Sequence, residues 1–72
     1  MSRKLSANNR AVLTHVSEGR SHQETAALLN ISLDSVRGHL AQCRRILGAR
    51  TVIQAMAIAY RQGILPALKE KR

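Results

Sequence analysis

Residues 21–47 read SHQETAALLNISLDSVRGHLAQCRRIL, and two helix starts lie within them. Ser21, His22, Gln23 and Glu24 have the Ser-x-x-Glu form, in which the Ser hydroxyl accepts the Glu24 amide and the Glu carboxylate reaches back to the Ser21 amide. A helix starting there runs through Ala26, Leu28 and Leu29 to Asn30, a residue that tolerates the left-handed conformation of a helix end. Ser32 caps again, Asp34 sits at the positive end of the next helix, and Ile31 is placed to staple onto Val36. Val36, Leu40, Cys43 and Leu47 then fall at i, i+4, i+7 and i+11, an apolar stripe, while Arg37, Arg44 and Arg45 fall outside it. Asn30 and Ile31 alone separate the two helices, which must therefore cross steeply, as in a helix-turn-helix.

Upstream, Ser6 caps a predicted helix from Ala7 to Glu18 that places Val12, Leu13 and Val16 on one side and stops at Gly19. Downstream, Gly48 ends the third helix, Thr51 and Gln54 form a predicted capping box, and a fourth helix runs from Val52 to Gln62 before Gly63 and Pro66. Arg3 and Lys4 at one end, and Lys69, Glu70, Lys71 and Arg72 at the other, have no periodic apolar partner and are expected to be flexible. The expectation is one all-α, four-helix domain over residues 1–72, with its core in about 5–65.

A chain of 72 residues buries only about 60% of the surface its unfolded form exposes, which leaves no room for a large catalytic cavity beside a core. The net charge of +8 and a pI near 11.5 point to a polyanionic partner, and 44% hydrophobic residues point to a folded body beneath the charge. From Ser35 through Tyr60 there is no acidic residue, whereas Arg37, Arg44, Arg45, Arg50 and Arg61 cluster on the third helix and after it. Tyr60 is the one aromatic residue, so stacking platforms for single strands are missing, and a nucleic-acid partner is expected to be a duplex.

The single cysteine, Cys43, cannot form an intrachain disulfide, which fits a reducing cytoplasm. The longest apolar run, Ala55 to Tyr60, falls far short of the roughly 20 residues of a membrane span. His39 and Cys43 have the i, i+4 spacing of a metal pair, but a structural zinc takes about four ligands and Cys43 is already on the apolar stripe. Asp34 is explained by its helix terminus, and no Gly-rich phosphate loop is present, so no enzyme, cofactor, metal or small-molecule ligand is expected.

Leu5, Ser6, Val12, Leu13, Gly19, Ser21, Glu24, Ala26, Leu29, Ile31, Ser32, Ser35, Val36, Arg37, His39, Leu40, Leu47, Gly48, Gln54, Ala55, Ala59 and Gly63 form a spaced set. On these residues the chain from Leu5 to Leu65 resembles the DNA-binding domain of the LuxR/GerE response regulators. The resemblance implies a four-helix transcription-factor domain that can exist without an attached receiver or ligand-sensing domain. It places Arg37, Gly38 and Ala41 at the base-facing positions of the third helix, and His39 near the DNA backbone or in a hydrogen bond at the edge of the core. Ser21, Gln23, Ser32, Ser35, Arg44, Arg45 and Arg50 are then expected to hold phosphates.

The chain departs from the family pattern where Asn8 and Asn9 replace an Arg-Glu pair, Ile46 replaces a Lys, and Val52 and Ile53 stand where Arg-Thr is common. Different packing is expected at the ends of the first and fourth helices. Gly38, mid-helix at a cost of about 1 kcal/mol relative to Ala, either permits close approach to a base edge or is tolerated. The fourth helix is apolar over a wide arc; the family pattern turns Ala55, Met56 and Ala59 inward and leaves Ile53, Ala57 and Tyr60 outward as a dimer interface. The other reading is that Ile64, Leu65 and Leu68 fold back over that arc.

The function expected is a transcriptional regulator that binds duplex DNA through the major groove with its third helix, as a homodimer. The alternative is an interaction module that pairs with another LuxR-type regulator through the fourth helix and blocks its DNA binding. The short Gly38 and Ala41 favour that alternative, and the charge on the third helix favours DNA.

Overall fold

Each helix begins where a side-chain hydroxyl closes its first turn. The computed structural model describes residues 4–65, which form α1 (Ala7–Ser17), α2 (His22–Leu29), α3 (Leu33–Leu47) and α4 (Val52–Arg61), with no strand among them. Ser6, Ser21, Ser32 and Thr51 accept the amides of Asn9, Glu24, Ser35 and Gln54, each about 3 Å away, and so satisfy donors the helix itself cannot. On α2 the box is complete, because the Glu24 carboxylate also accepts the Ser21 amide at 2.8 Å.

At α4 the expected box is displaced by one residue. Thr51 Oγ1 accepts the Gln54 amide, but Gln54 Oε1 accepts the amide of Arg50 at 2.8 Å rather than that of Thr51. The longer amide side chain reaches past the cap and ties down the residue before it, which fixes how the chain enters α4.

The helix ends share one pattern. Asn30 takes φ 57° and ψ 47°, its amide donates to Ala27, and the Ile31 amide donates to Ala26 at 3.0 Å. Gly48, at φ 70°, closes α3 in the same way, with the Ala49 amide on Arg44 at 2.8 Å. These paired bonds satisfy the last carbonyls and turn the chain sharply, so α2 reaches α3 through Asn30, Ile31 and Ser32 alone.

The core draws on every helix: Val12 and Leu13 from α1, Ala26 from α2, Val36, Leu40 and Cys43 from α3, Ala59 from α4, and Leu65 beyond it. α3 is the common neighbour, in contact with each of the other three. Burying a Val or Leu side chain contributes about 1.5–3 kcal/mol, so these few residues carry most of the packing energy of so short a chain.

The stripe expected on α3 is the one buried, with Val36, Leu40 and Cys43 inside and Leu47 half-buried against them. Ile31 packs on the same cluster, as the predicted staple requires. On α4, Ala55 and Ala59 are buried and Val52 and Met56 pack on the core.

Tyr60 departs from its expected outward position, since it is half-buried and packs against the core cluster. The reason is the return of the chain after Gly63: the Ile64 and Leu65 amides both donate to the Ala59 carbonyl, at 2.8 and 3.3 Å, and Leu65 is buried. Ile64 and Leu65 thus fold back as the alternative expected, but of the three residues it would cover only Tyr60 is drawn in, and Leu68 lies outside the described residues. Ile53, 75% exposed, and Ala57 stay outward. None of the described helices is long and apolar enough to cross a membrane.

Candidate DNA-binding face

With its buried stripe turned inward, α3 presents a definite outer face. At the α-helical repeat, the direction opposite Val36, Leu40 and Cys43 falls on Asp34, Gly38, Ala41 and Arg45, with Arg37 and Arg44 along one flank and His39 and Ile46 along the other. Asp34, Arg37, Gly38 and Arg45 are exposed and Ala41 is half-exposed. The three positions implied to face bases, Arg37, Gly38 and Ala41, are therefore together on one side of one helix.

Gly38 is not required by the packing of the fold. Its backbone is helical, and a Cβ built on it would meet nothing within 4 Å among the described residues. Among the described residues the Arg37 head meets only Asp34, whose Oδ1 lies 3.4 Å from Nη1, with both side chains largely in solvent. An exposed pair of that kind holds weakly.

The residues expected to hold phosphates form two groups. Ser21 and Gln23 sit exposed at the start of α2, and Ser32 and Ser35 at the start of α3, their hydroxyls 3.1 Å apart. Free amides and the positive dipole end lie at both starts, an arrangement that suits anions. The second group is at the other end of α3: Arg45 is exposed, and Arg44 is half-buried with Nη1 3.4 Å from the carbonyl of Arg50. Arg44 thus spans the turn between α3 and α4, and Arg50 points outward from it.

Asn9 is a residue that the reading of motifs passed over. It is 3% exposed, its Oδ1 lies 2.6 Å from His39 Nδ1, and its carbonyl accepts the Cys43 thiol at 3.5 Å. The histidine must donate from Nδ1, because the amide oxygen can only accept, so the core-edge hydrogen bond is the role His39 fills. One residue of α1 therefore grips α3 at two successive turns, by its side-chain amide at His39 and by its main-chain carbonyl at Cys43. The signal available was the replacement of an acidic residue by Asn9 in the family pattern, which indicated altered packing but not the partner.

Burial pushes the Cys43 thiol up to about 11, against a weaker lowering by its backbone hydrogen bond, so it stays neutral. With Nδ1 of His39 held by Asn9 and the thiol on the Asn9 carbonyl, the i, i+4 pair is already used in packing α1 against α3.

Known proteins with this arrangement agree on its class. The sequence profile of sigma-70, region 4, matches residues 1–47, which span the first three helices. The structure of the transcription factor GerE superposes with a TM-score of 0.81 at 26% identity, over 88% of this chain and 96% of GerE. The chain is a helix-turn-helix domain of the sigma-70 region 4 and LuxR/GerE family.

This LuxR/GerE-type domain also matches VqmA of Vibrio cholerae, a LuxR-type receptor. The DNA-free VqmA dimer gives a TM-score of 0.80 at 31% identity over 85% of this chain, and a VqmA–ligand–DNA complex gives 0.81 at 28% over 94%. The chain spans about a third of those VqmA chains or less, so they share with it the DNA-binding fold and not the rest of the receptor. No curated protein sequence matches the chain.

Proposed function

We propose that the chain regulates transcription by binding duplex DNA, inserting α3 into the major groove, and that it does so as a homodimer on a two-fold related site. The observation that carries this reading is the outer face of α3. It is the second helix of a helix-turn-helix, its exposed side holds Arg37 and Arg45, and no structural duty inside the fold accounts for Gly38. Arg37 is the base reader, with Gly38 and Ala41 short enough to let the groove floor come close. Ser21, Gln23, Ser32, Ser35, Arg44, Arg45 and Arg50 hold phosphates and set the register.

Dimerisation through α4 is supported by Ile53 and Ala57, exposed one turn apart on a helix whose other side is in the core. Tyr60 borders this face without belonging to it. A helix of about three turns offers an interface below the ~1,000 Å² of a firm complex, so DNA assembles the dimer. Exposed Ile53 also supports a second reading, in which the chain pairs with another LuxR-type regulator and withholds it from DNA.

Mobility shift on random and genomic duplex over a salt series separates the two. Log K should fall with log salt at a slope of about −0.9 for each phosphate neutralised. A flat response, or no duplex binding at low salt, sinks the DNA reading and promotes the second.

A further inference from the structure

We propose that Asp34 determines specificity by accepting a hydrogen bond from the exocyclic amine of a cytosine in the major groove, a step that rests on the DNA-binding reading above. Asp34 lies in the first turn of α3, on the outer strip that continues through Gly38 and Ala41, and its side chain is 93% exposed. It is not needed to cap the helix. Ser32 Oγ already accepts the Ser35 amide, and the Ser35 hydroxyl completes that cap without the carboxylate. The helix dipole accounts for an acid somewhere in this turn, but position 35, off the strip, would serve it as well.

On a face that meets phosphates, a carboxylate weakens binding to every duplex unless it finds a donor. In the major groove the donors on base edges are cytosine N4 and adenine N6. The adenine amine has the acceptor N7 beside it, which repels a carboxylate, and guanine and thymine offer acceptors along the same edge. Cytosine is therefore the base a carboxylate selects, and the other three are disfavoured by the same charge.

Arg37 completes the device. Its Nη1 is 3.4 Å from Asp34 Oδ1 across one turn, a weak exposed pair that opens when each partner finds a better one. Asp34 turns to cytosine while Arg37 turns to O6 and N7 of a guanine. Where no cytosine is present the carboxylate stays unpartnered among phosphates, so the acid also suppresses binding to the wrong sequences.

The test is selection of binding sites from a random duplex library by the full chain, followed by titration of the selected, the base-substituted and random duplexes. Wild type should select a cytosine near the guanine that Arg37→Ala ceases to require, and replacing that cytosine should cost roughly five- to a hundredfold in affinity. Asp34→Asn should move the preference to adenine, which a carboxamide pairs with through N6 and N7. Asp34→Ala should lose the preference and bind random duplex more tightly than wild type.

If both Asp34 variants select the wild-type sites while Arg37→Ala does not, the inference is overturned and the DNA reading stands. Loss of helical circular dichroism in both variants would overturn it too, by making Asp34 structural. Absence of duplex binding by wild type overturns the DNA reading and this inference with it.

Discussion

On its inward side α3 buries Val36, Leu40 and Cys43 almost completely against three neighbouring helices; on its outward side Asp34, Gly38 and Arg45 are exposed to solvent. The same fifteen residues thus answer to two constraints. Inside, shape and volume decide, because a cavity or a misplaced polar atom costs energy at once. Outside, only a partner can decide, and what looks like poor helix design, a mid-helix glycine among arginines, has no reason within the fold.

Six substitutions can break or sharpen that contrast. Leu40→Ala, on the inward side, should lose about 2–5 kcal/mol in denaturant unfolding, a large part of the stability of so small a domain. Arg45→Ala, one turn further along the outward side, should leave unfolding unchanged and weaken specific and random duplex alike. If both proteins unfolded equally early, the division into two faces would be wrong.

On α4 the same division runs between Tyr60 and Ile53. Tyr60→Glu puts a charge against the core cluster and should cost roughly 3 kcal/mol or more, read as an early thermal transition. Ile53→Glu, at a 75% exposed site, should keep the wild-type transition while abolishing association in sedimentation and weakening binding to a two-half-site operator. Retained association by Ile53→Glu would remove α4 from the dimer.

Asn9→Ala tests the polar bridge between α1 and the inner edge of α3. It leaves the His39 Nδ1 donor without its acceptor and opens a small void, with an expected loss of about 1–3 kcal/mol. Wild-type stability would mean that water replaces the carboxamide at no cost.

Gly38→Ala should give the smallest change and the opposite sign. With open space around the added methyl and a helical backbone, it should raise stability by about 0.5–1 kcal/mol. The same variant should bind specific duplex less well if the groove floor needs the room. A more stable protein with unchanged binding would show that Gly38 is merely tolerated.

Much of the fold was legible in the chain because its signals are local. Ser21 with Glu24, Ser32, Asn30 and Gly48 each mark a helix end by chemistry contained within a few residues, and the structure places the ends there. What was not legible depends on contacts distant in sequence. Asn9 and His39 are thirty residues apart, and no periodicity links a carboxamide to a ring nitrogen. On the helical wheel Tyr60 lies beyond the Ala55 and Ala59 stripe and so reads as outward, but it packs against the core cluster that Leu65 extends at that end. The positions proposed to face bases come from a family pattern rather than from composition, while their place on the outer side of α3 follows from the buried stripe opposite.

The outer strip of α3 also bears on how such a protein changes over evolutionary time. If α3 reads DNA as proposed, substitutions at the exposed Asp34, Gly38 and Arg45 are screened by the operators they fit and hardly at all by folding. On that reading a lineage drifts from one set of target genes to another through single replacements, each leaving a foldable intermediate, while Leu40 and Asn9 keep the scaffold on which the next specificity is tried.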